Sequence, residues 1–273
     1  MLRAAVLGAP VRHSLSPVLH AAAYAALGLT DWTYDAHEVE AEELSGFVGA
    51  LGPEWRGLSL TMPLKEAALG VASEVSEVAL AAGAANTLVR QADGSWHADN
   101  TDVVGIVEAL RPHLLGPVGS ALVLGSGATA RSAVLALSRL GARRLTVAAR
   151  DLAKAEALAV WAARPEVGVG LVSVAPLARW GALAADVVVS AVAPAGGAAV
   201  AAELAAPTAG VLLDVVYAGW PTPLAVSALE AGLIVVSGIE MLVHQAAAQF
   251  ALFTGYAAPV AEMLRAGRDA LEG

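Results

Sequence analysis

There is no cysteine in this chain of 273 residues, which removes disulfides, thiolate nucleophiles and Cys-ligated zinc from consideration. The six histidines show no His-x-x-x-His spacing beside a carboxylate, so no metal site is expected. Basic residues number 16 against 25 acidic ones, a net charge of −9. That balance opposes a nucleic-acid backbone, and no basic stripe offsets it. Long apolar runs are missing as well. The hydrophobic fraction is 57%, but much of it is alanine. The longest uncharged stretch near the middle, Val187 to Ala202, is broken by Pro194, Gly196 and Gly197 and does not read as a spanning helix. Met1 to Gly8 is too short and too soon interrupted for a signal peptide. The expected location is the cytoplasm, with no membrane and no nucleic acid as partner.

Lysine is the scarcest charge. Of the sixteen basic residues only Lys65 and Lys154 are lysines, and Lys65 ends the segment Thr61-Met62-Pro63-Leu64-Lys65. An ammonium is a compact charge whose pKa moves on burial, so it can give and take a proton near neutral pH, which arginine cannot do. A solvated surface lysine is the bland reading of position 65. Its companions elsewhere in the chain outweigh it.

The first hundred residues alternate strand and helix patterns. Strands are expected at Ala4–Leu7, Trp32–Val39 and Leu58–Leu60, and helices over Pro17–Leu27, Ala41–Leu51 and from about Pro63 onward. Asn86 to Val89, a turn at Asp93-Gly94, and Trp96 to Ala98 read as a hairpin. A connecting helix runs from Thr101 to about Leu114. The short apolar run Ala121 to Leu124 then opens a series of strand candidates, Leu145–Ala149, Gly170–Val174, Asp186–Val189, Val211–Val216 and Leu233–Val236, with helical segments between several of them. That is the pattern of a doubly wound parallel sheet. Near the C-terminus Ile239, Leu242, Val243, Ala246, Phe250 and Phe253 share one helical stripe, and a second helix spans Val260–Leu271. The fold class is α/β: an N-terminal substrate-binding domain over 1–101, completed by helices in 238–273, and a Rossmann-type dinucleotide domain over 102–237.

Three places could carry chemistry. Gly125-Ser126-Gly127-Ala128 follows a buried strand and opens a helix, where glycines let the backbone approach a pyrophosphate and the helix start offers unpaired amides. Gly125, Gly127 and Ala128 are therefore cofactor candidates, against the alternative of a tight structural turn. At the end of the next strand stands Arg150 where an NAD enzyme carries a carboxylate, and an arginine suits a 2′-phosphate. Lys154, one helical turn on, adds a second positive charge, while Asp151 would repel a phosphate. The balance favours NADP. His13-Ser14-Leu15-Ser16-Pro17 precedes a helix. Ser16 before proline reads as an N-cap, or Ser14 and Ser16 together hold a carboxylate. Asn86-Thr87 and Asp99-Asn100-Thr101-Asp102 form the last set. Asp102 either favours a helix dipole or pairs with Lys65 to share a substrate proton.

The ordered series Gly8-x-Pro10, Ser14-Leu15-Ser16-Pro17, Thr61-x-Pro63-x-Lys65, Asn86-Thr87, Asn100-Thr101-Asp102 and Gly238-x-x-Met241-Leu242-x-x-Gln245 resembles the shikimate dehydrogenases, over nearly the whole chain from Gly8 to Gly255. The resemblance implies that Ser14 and Ser16 bind the shikimate carboxylate. It implies that Thr61, Lys65, Asn86, Asp102 and Gln245 contact the ring hydroxyls, that Tyr217 borders the pocket, and that Gly238 and Met241 lie beside the nicotinamide. The active site is then the cleft between the domains. Ser59 stands where the family usually has Asn, Ala98 replaces a frequent Gly and Ala149 a frequent Asn, and Ser190 and Val192 replace the usual Asn and Thr.

The expected reaction is reversible reduction of 3-dehydroshikimate to shikimate with NADPH, in aromatic amino-acid biosynthesis, with Lys65 delivering the proton and Asp102 positioning it. A quinate/shikimate dehydrogenase using NAD is the nearer alternative. A non-catalytic sensor of pathway metabolites is the more distant one; it would need the serine pair but not Lys65 with Asp102, and it would usually carry a DNA-binding segment. The partner is a small molecule, and a homodimer is left open.

Overall fold

The computed structural model describes residues 1–204 and 210–272. The chain divides into two compact units, Met1–Gly105 with Leu242–Gly273, and Ile106–Met241. Each holds a six-stranded sheet.

In the first unit the elements run β1 (Leu2–Gly8), α1 (Ser16–Leu27), β2 (Trp32–Glu38), α2 (Leu44–Gly49), β3 (Trp55–Leu60), β4 (Glu74–Val75), α3 (Glu77–Ala82), β5 (Thr87–Arg90) and β6 (Trp96–Asp99), then the start of α4 (Asp102–Leu110). The sheet order is β2-β1-β3-β5-β6-β4. β1 is parallel to both neighbours, whereas β5 is antiparallel to β3 and β6. Burial from Ala4 to Leu7 accounts for the unalternating apolar run of β1, as expected of a strand covered on both faces. Gly94 has φ +88 in the hairpin turn, a conformation that glycine adopts without steric cost. The helix expected from Pro63 does not form at once; a 3₁₀ turn follows only at Ala67–Gly70. The carbonyl of Lys65 accepts the Ala85 amide at 2.7 Å, so it is drawn to a neighbouring segment instead of a helical ladder.

The second unit runs β7 (Ser120–Leu124), α5 (Ala128–Arg139), β8 (Arg144–Ala149), α6 (Leu152–Ala162), β9 (Leu171–Pro176), β10 (Val187–Ser190), α7 (Gly197–Ala202), β11 (Val211–Asp214), α8 (Pro223–Glu230) and β12 (Ile234–Ser237). All its strand pairs are parallel, in the order β12-β11-β10-β7-β8-β9. The order reverses between β7 and β10, and in such sheets ligands bind at the carboxyl ends of the strands beside that switch point.

Two helices finish the chain, α9 (Gly238–Thr254) and α10 (Val260–Glu272). Val243, Ala246, Phe250 and Phe253 of α9 are buried, as their spacing predicts. A side chain at Gly57 of β3 would overlap the Phe253 ring, so this glycine is set by packing.

Beside these rings lies His20 of α1, fully buried and stacked on Tyr34 at 4.0 Å between ring centres. Neither ring nitrogen has a hydrogen-bond partner among the described residues. Burial alone pulls its pKa from 6.5 down to about 3, so the folded protein holds it neutral. Between those values the unfolded chain binds a proton that the folded chain excludes. Stability therefore falls as pH is lowered through that window, by up to about 1.4 kcal/mol per unit. His20→Phe is expected to flatten the decline. Urea midpoints of both proteins at about pH 7 and about pH 5 test this, and equal pH slopes would contradict it.

Candidate active site

Lys65 is delivered by the turn after β3. Thr61 N–H bonds to Leu7 O at 2.9 Å, Leu64 N–H to Thr61 O at 2.9 Å, and Ala9 N–H to Met62 O at 3.0 Å. A side chain at Gly8 would collide with Thr61, so the glycine permits this close approach of β1. Asp102 opens α4, and the side chain of Asn100 does the capping: its Oδ1 accepts the Asp102 N–H at 3.1 Å. The Asp102 carboxylate is thereby free to act elsewhere. Its Oδ2 accepts from Lys65 Nζ at 2.6 Å and its Oδ1 from Asn86 Nδ2 at 2.8 Å. The two side chains are 17% and 6% exposed, so little water competes for this pair. Pairing, rather than a helix-dipole role alone, is what the geometry gives.

Asn86 is the centre of the polar cluster. Its Oδ1 accepts from Thr87 Oγ1 at 2.7 Å and from Thr101 N–H at 2.8 Å. Its Nδ2 donates to Asp102 and to Gln245 Oε1, the latter at 3.1 Å. Gln245 spends one N–H on Leu242 O at 3.0 Å. These partners fix both amide orientations, since donors and acceptors cannot be exchanged without breaking bonds.

Ser14 and Ser16 meet each other: Ser14 Oγ donates to Ser16 Oγ at 3.2 Å and accepts the Ser16 N–H at 3.3 Å. The N-cap reading of Ser16 is not borne out. Leu15 occupies the cap position and Ser16 is already the first helical residue. Its hydroxyl is not needed to close the helix.

Sequence reasoning missed Gln249 and Tyr34 as members of this cluster, and singled out Ser59 only as the replacement for the family's usual Asn. Gln249 donates to Asn86 O and Thr87 Oγ1, both at 3.0 Å, and accepts from Ser59 Oγ at 2.7 Å. Tyr34 donates to Ser59 at 2.6 Å. The available signal was the four-residue spacing of Gln245 and Gln249, two amides on one side of an otherwise apolar helix.

The glycine segment of the second unit sits at the carboxyl end of β7. Gly125 has φ +115, and a Cβ there would press on Ala191 O at 3.0 Å. Gly127 is the N-cap of α5, with no side-chain bond to the helix amides, and Ala128 begins that helix. A cavity of about 510 Å³ is lined by Gly125, Ser126, Arg150, Asp151 and Lys154, among others. Asp151 caps α6, its carboxylate accepting the Lys154 N–H at 3.1 Å, so part of its charge is spent on the helix start. Strand end, helix start and two cations at one cavity are the groups that a phosphorylated dinucleotide would call on.

Tyr217, Gly238 and Met241 also belong to the second unit. A Cβ on Gly238 would overlap the Val215 carbonyl, which fixes the entry of α9 against the segment leading to Tyr217. Burial raises the Tyr217 phenol pKa. Just before this segment, burial also raises the pKa of the Asp214 carboxyl, against hydrogen bonds from Thr222, Val216 N–H and Ser190. Ser190 thus serves Asp214. Among the described residues no group of three or more His, Asp or Glu could hold a metal ion, and no helix is long and apolar enough to cross a membrane.

Two family profiles match the sequence, the shikimate dehydrogenase substrate binding domain over residues 6–88 and the shikimate 5'-dehydrogenase C-terminal domain over 238–266. The curated shikimate dehydrogenase (NADP(+)) of Anaeromyxobacter sp. (strain Fw109-5) is 42% identical over 270 residues, 96% of this chain and 94% of its own. Among solved structures, shikimate dehydrogenase of Mycobacterium tuberculosis matches with a TM-score of 0.89 at 47% identity, covering 99% of this chain and 100% of that one. Shikimate 5-dehydrogenase of Thermus thermophilus, in complex with NADP(H) and shikimate, matches with a TM-score of 0.85 at 36% identity, covering 99% and 100%.

The polar cluster makes a stability prediction that needs no assay of activity. Asn86→Leu keeps the size of the side chain but strands the buried groups it now pairs. It should lower the free energy of unfolding by at least about 2 kcal/mol, read from the urea midpoint. A variant as stable as the parent would show that the cluster does not constrain the fold.

Proposed function

The chain belongs to the shikimate dehydrogenase family, and we infer that it catalyses the NADP-dependent, reversible reduction of 3-dehydroshikimate to shikimate, a step of aromatic amino-acid biosynthesis. The observation that carries the reading is the Lys65–Asp102 pair at 2.6 Å, held in a cluster of oriented amides and hydroxyls. The curated relatives are named by NADP(+), which supports this reading over the NAD-linked quinate alternative. The non-catalytic sensor has no use for a lysine set against a buried carboxylate.

The first unit is assigned the substrate and the second the cofactor. Ser14 and Ser16 are placed on the carboxylate of the substrate, and Thr61, Asn86 and Gln245 on its ring hydroxyls, with Tyr217 bordering the ring. Gly125, Gly127 and Ala128 hold the pyrophosphate, Arg150 and Lys154 the 2′-phosphate, and Gly238 and Met241 the nicotinamide. Bound in that way, NADPH supplies the hydride that converts the ketone carbon into a carbinol.

The chain's own groups manage the charge. As the ketone carbon is reduced, its oxygen gains electron density, and the Lys65 ammonium stabilises that oxygen and then gives it a proton. Asp102 aims the ammonium through Oδ2, while Asn86 holds Oδ1, so the carboxylate cannot rotate away. In the reverse direction the neutral amine of Lys65 takes the proton from the substrate hydroxyl. A cytoplasmic site of action belongs to the same proposal, in keeping with NADPH as the reductant of biosynthesis. A homodimer is the assembly to test by sedimentation.

Two outcomes check the assignment. Lys65→Ala should lower kcat by about 10²–10⁴-fold while shikimate binding, measured by calorimetry, stays within a few-fold of the parent; near-normal turnover would remove Lys65 from the chemistry. Arg150→Ala should raise KM for NADP⁺ by about tenfold or more, the worth of one charge-assisted contact, and leave KM for NAD⁺ nearly unchanged. Equal effects on both cofactors would mean that Arg150 does not read the 2′-phosphate.

A further inference from the structure

Gln249 lies one turn beyond Gln245 on α9, is 1% exposed, and belongs to no motif of the sequence. It spends both hydrogens of its amide on two consecutive residues: Nε2 donates to the main-chain oxygen of Asn86 and to Thr87 Oγ1, each at 3.0 Å. A carbonyl oxygen only accepts, so the Asn86 contact rules out the flipped amide and turns Gln249 Oε1 toward Ser59. The Ser59 hydroxyl donates to that oxygen at 2.7 Å, and Tyr34 donates to Ser59 at 2.6 Å.

The orientation is passed on. Thr87 Oγ1 accepts from Gln249 and gives its own single hydrogen to Asn86 Oδ1 at 2.7 Å. Asn86 therefore presents Nδ2 to the Asp102 carboxylate, 2.8 Å from Oδ1. From Ser59 onward every donor points the same way, through Gln249, Thr87 and Asn86 to Asp102. Bonds aligned head to tail polarise one another, and this series ends on a carboxylate, where hydrogen bonds are strongest.

Both oxygens of Asp102 are claimed, Oδ1 by this series and Oδ2 by Lys65. Whatever holds Oδ1 sets the plane of the carboxylate, and so the direction in which Oδ2 meets the ammonium. Asn86 has a further contact in the Thr101 N–H. Gln249 grips it twice, at the main-chain oxygen directly and at the side chain through Thr87. Without Gln249, the Thr87 hydroxyl is also able to turn to Thr101 Oγ1, 3.4 Å away, and the aim of Asn86 rests on Thr101. All of these groups lie within the first unit.

We propose that Gln249 is a positioning residue for the reaction: acting through Thr87 and Asn86, it aims the Asp102 carboxylate, and with it the Lys65 ammonium, at the substrate oxygen. It need not touch the substrate to do so. The proposal rests on the assignment of Lys65 and Asp102 to proton transfer.

Gln249→Met keeps the length of the side chain and removes its amide. At a temperature where the urea curve shows the variant folded, kcat should fall by about 3- to 10-fold, the worth of one hydrogen bond. KM for shikimate should change by less than about twofold, because the groups assigned to ground-state binding are kept. Thr87→Val cuts the series between Gln249 and the Asn86 side chain. It should lower kcat by a similar factor, and it carries the test if Gln249→Met does not fold. In the double variant, Gln249→Met should lower kcat by less than about twofold beyond Thr87→Val alone, since both act along one path. A lower urea midpoint with unchanged kcat, in either single variant, would make the residue purely structural and overturn the proposal. An effect confined to KM, or full additivity in the double variant, would overturn it as well. Failure of the reaction assignment would show separately, as a Lys65→Ala variant that keeps its turnover, and would take the proposal with it.

Discussion

The constraint on which the site depends is the need of a buried amide to satisfy every one of its polar atoms. Asn86 is 2% exposed, and its side chain meets that need with Thr87, Thr101, Asp102 and Gln245. An unpaired buried donor or acceptor costs on the order of 1–3 kcal/mol, so each partner is held about as firmly as it holds. Asp102 is fixed on one oxygen, and the other is left for an ammonium. The Lys65–Asp102 pair thus inherits its position from the interior of the unit rather than from the turn that carries Lys65.

The second unit solves a different problem with backbone groups. The order of the strands reverses at β7 and β10, where such sheets open a crevice at the carboxyl ends of the strands, and Gly125 and Ser126 of the turn before α5 line the cavity there. Arg150 and Lys154 line the same cavity and supply its positive charge. Asp151 looked like an obstacle to a phosphate. As the cap of α6 its carboxylate accepts the Lys154 backbone N–H, and the apparent conflict with Arg150 is reduced.

Much of this was legible in the sequence, for identifiable reasons. β1 and β7 are recognisable because strands buried on both faces are unbroken apolar runs, and the Asp93-Gly94 hairpin because its turn chemistry is local. Pairing of Lys65 with Asp102 could be weighed because both residue types are chemically unusual in their segments. The turn after Pro63 was misread as a helix because the decisive bond comes from Ala85, twenty residues away in sequence. Of the two readings of Ser16, the cap fails for a similar reason: Ser-Pro satisfies the local rule, while the backbone places Leu15 in that position. Tyr34, Ser59 and Gln249 come from three distant segments and share no motif, so only the folded chain shows that they form one hydrogen-bonded series.

The first unit is assembled from two separate stretches of sequence, while the second is one uninterrupted stretch lying between them. During synthesis the second sheet can therefore close before the later stretch of the first unit is made. The polar cluster around Asn86 cannot. Gln245 and Gln249, which complete the bonding of Asn86 and Ser59, emerge only after the whole second unit. A nascent chain would carry Lys65 and Asp102 through synthesis of the whole second unit with Gln245 and Gln249 still unmade, so the order of translation delays completion of this cluster until that unit has been made.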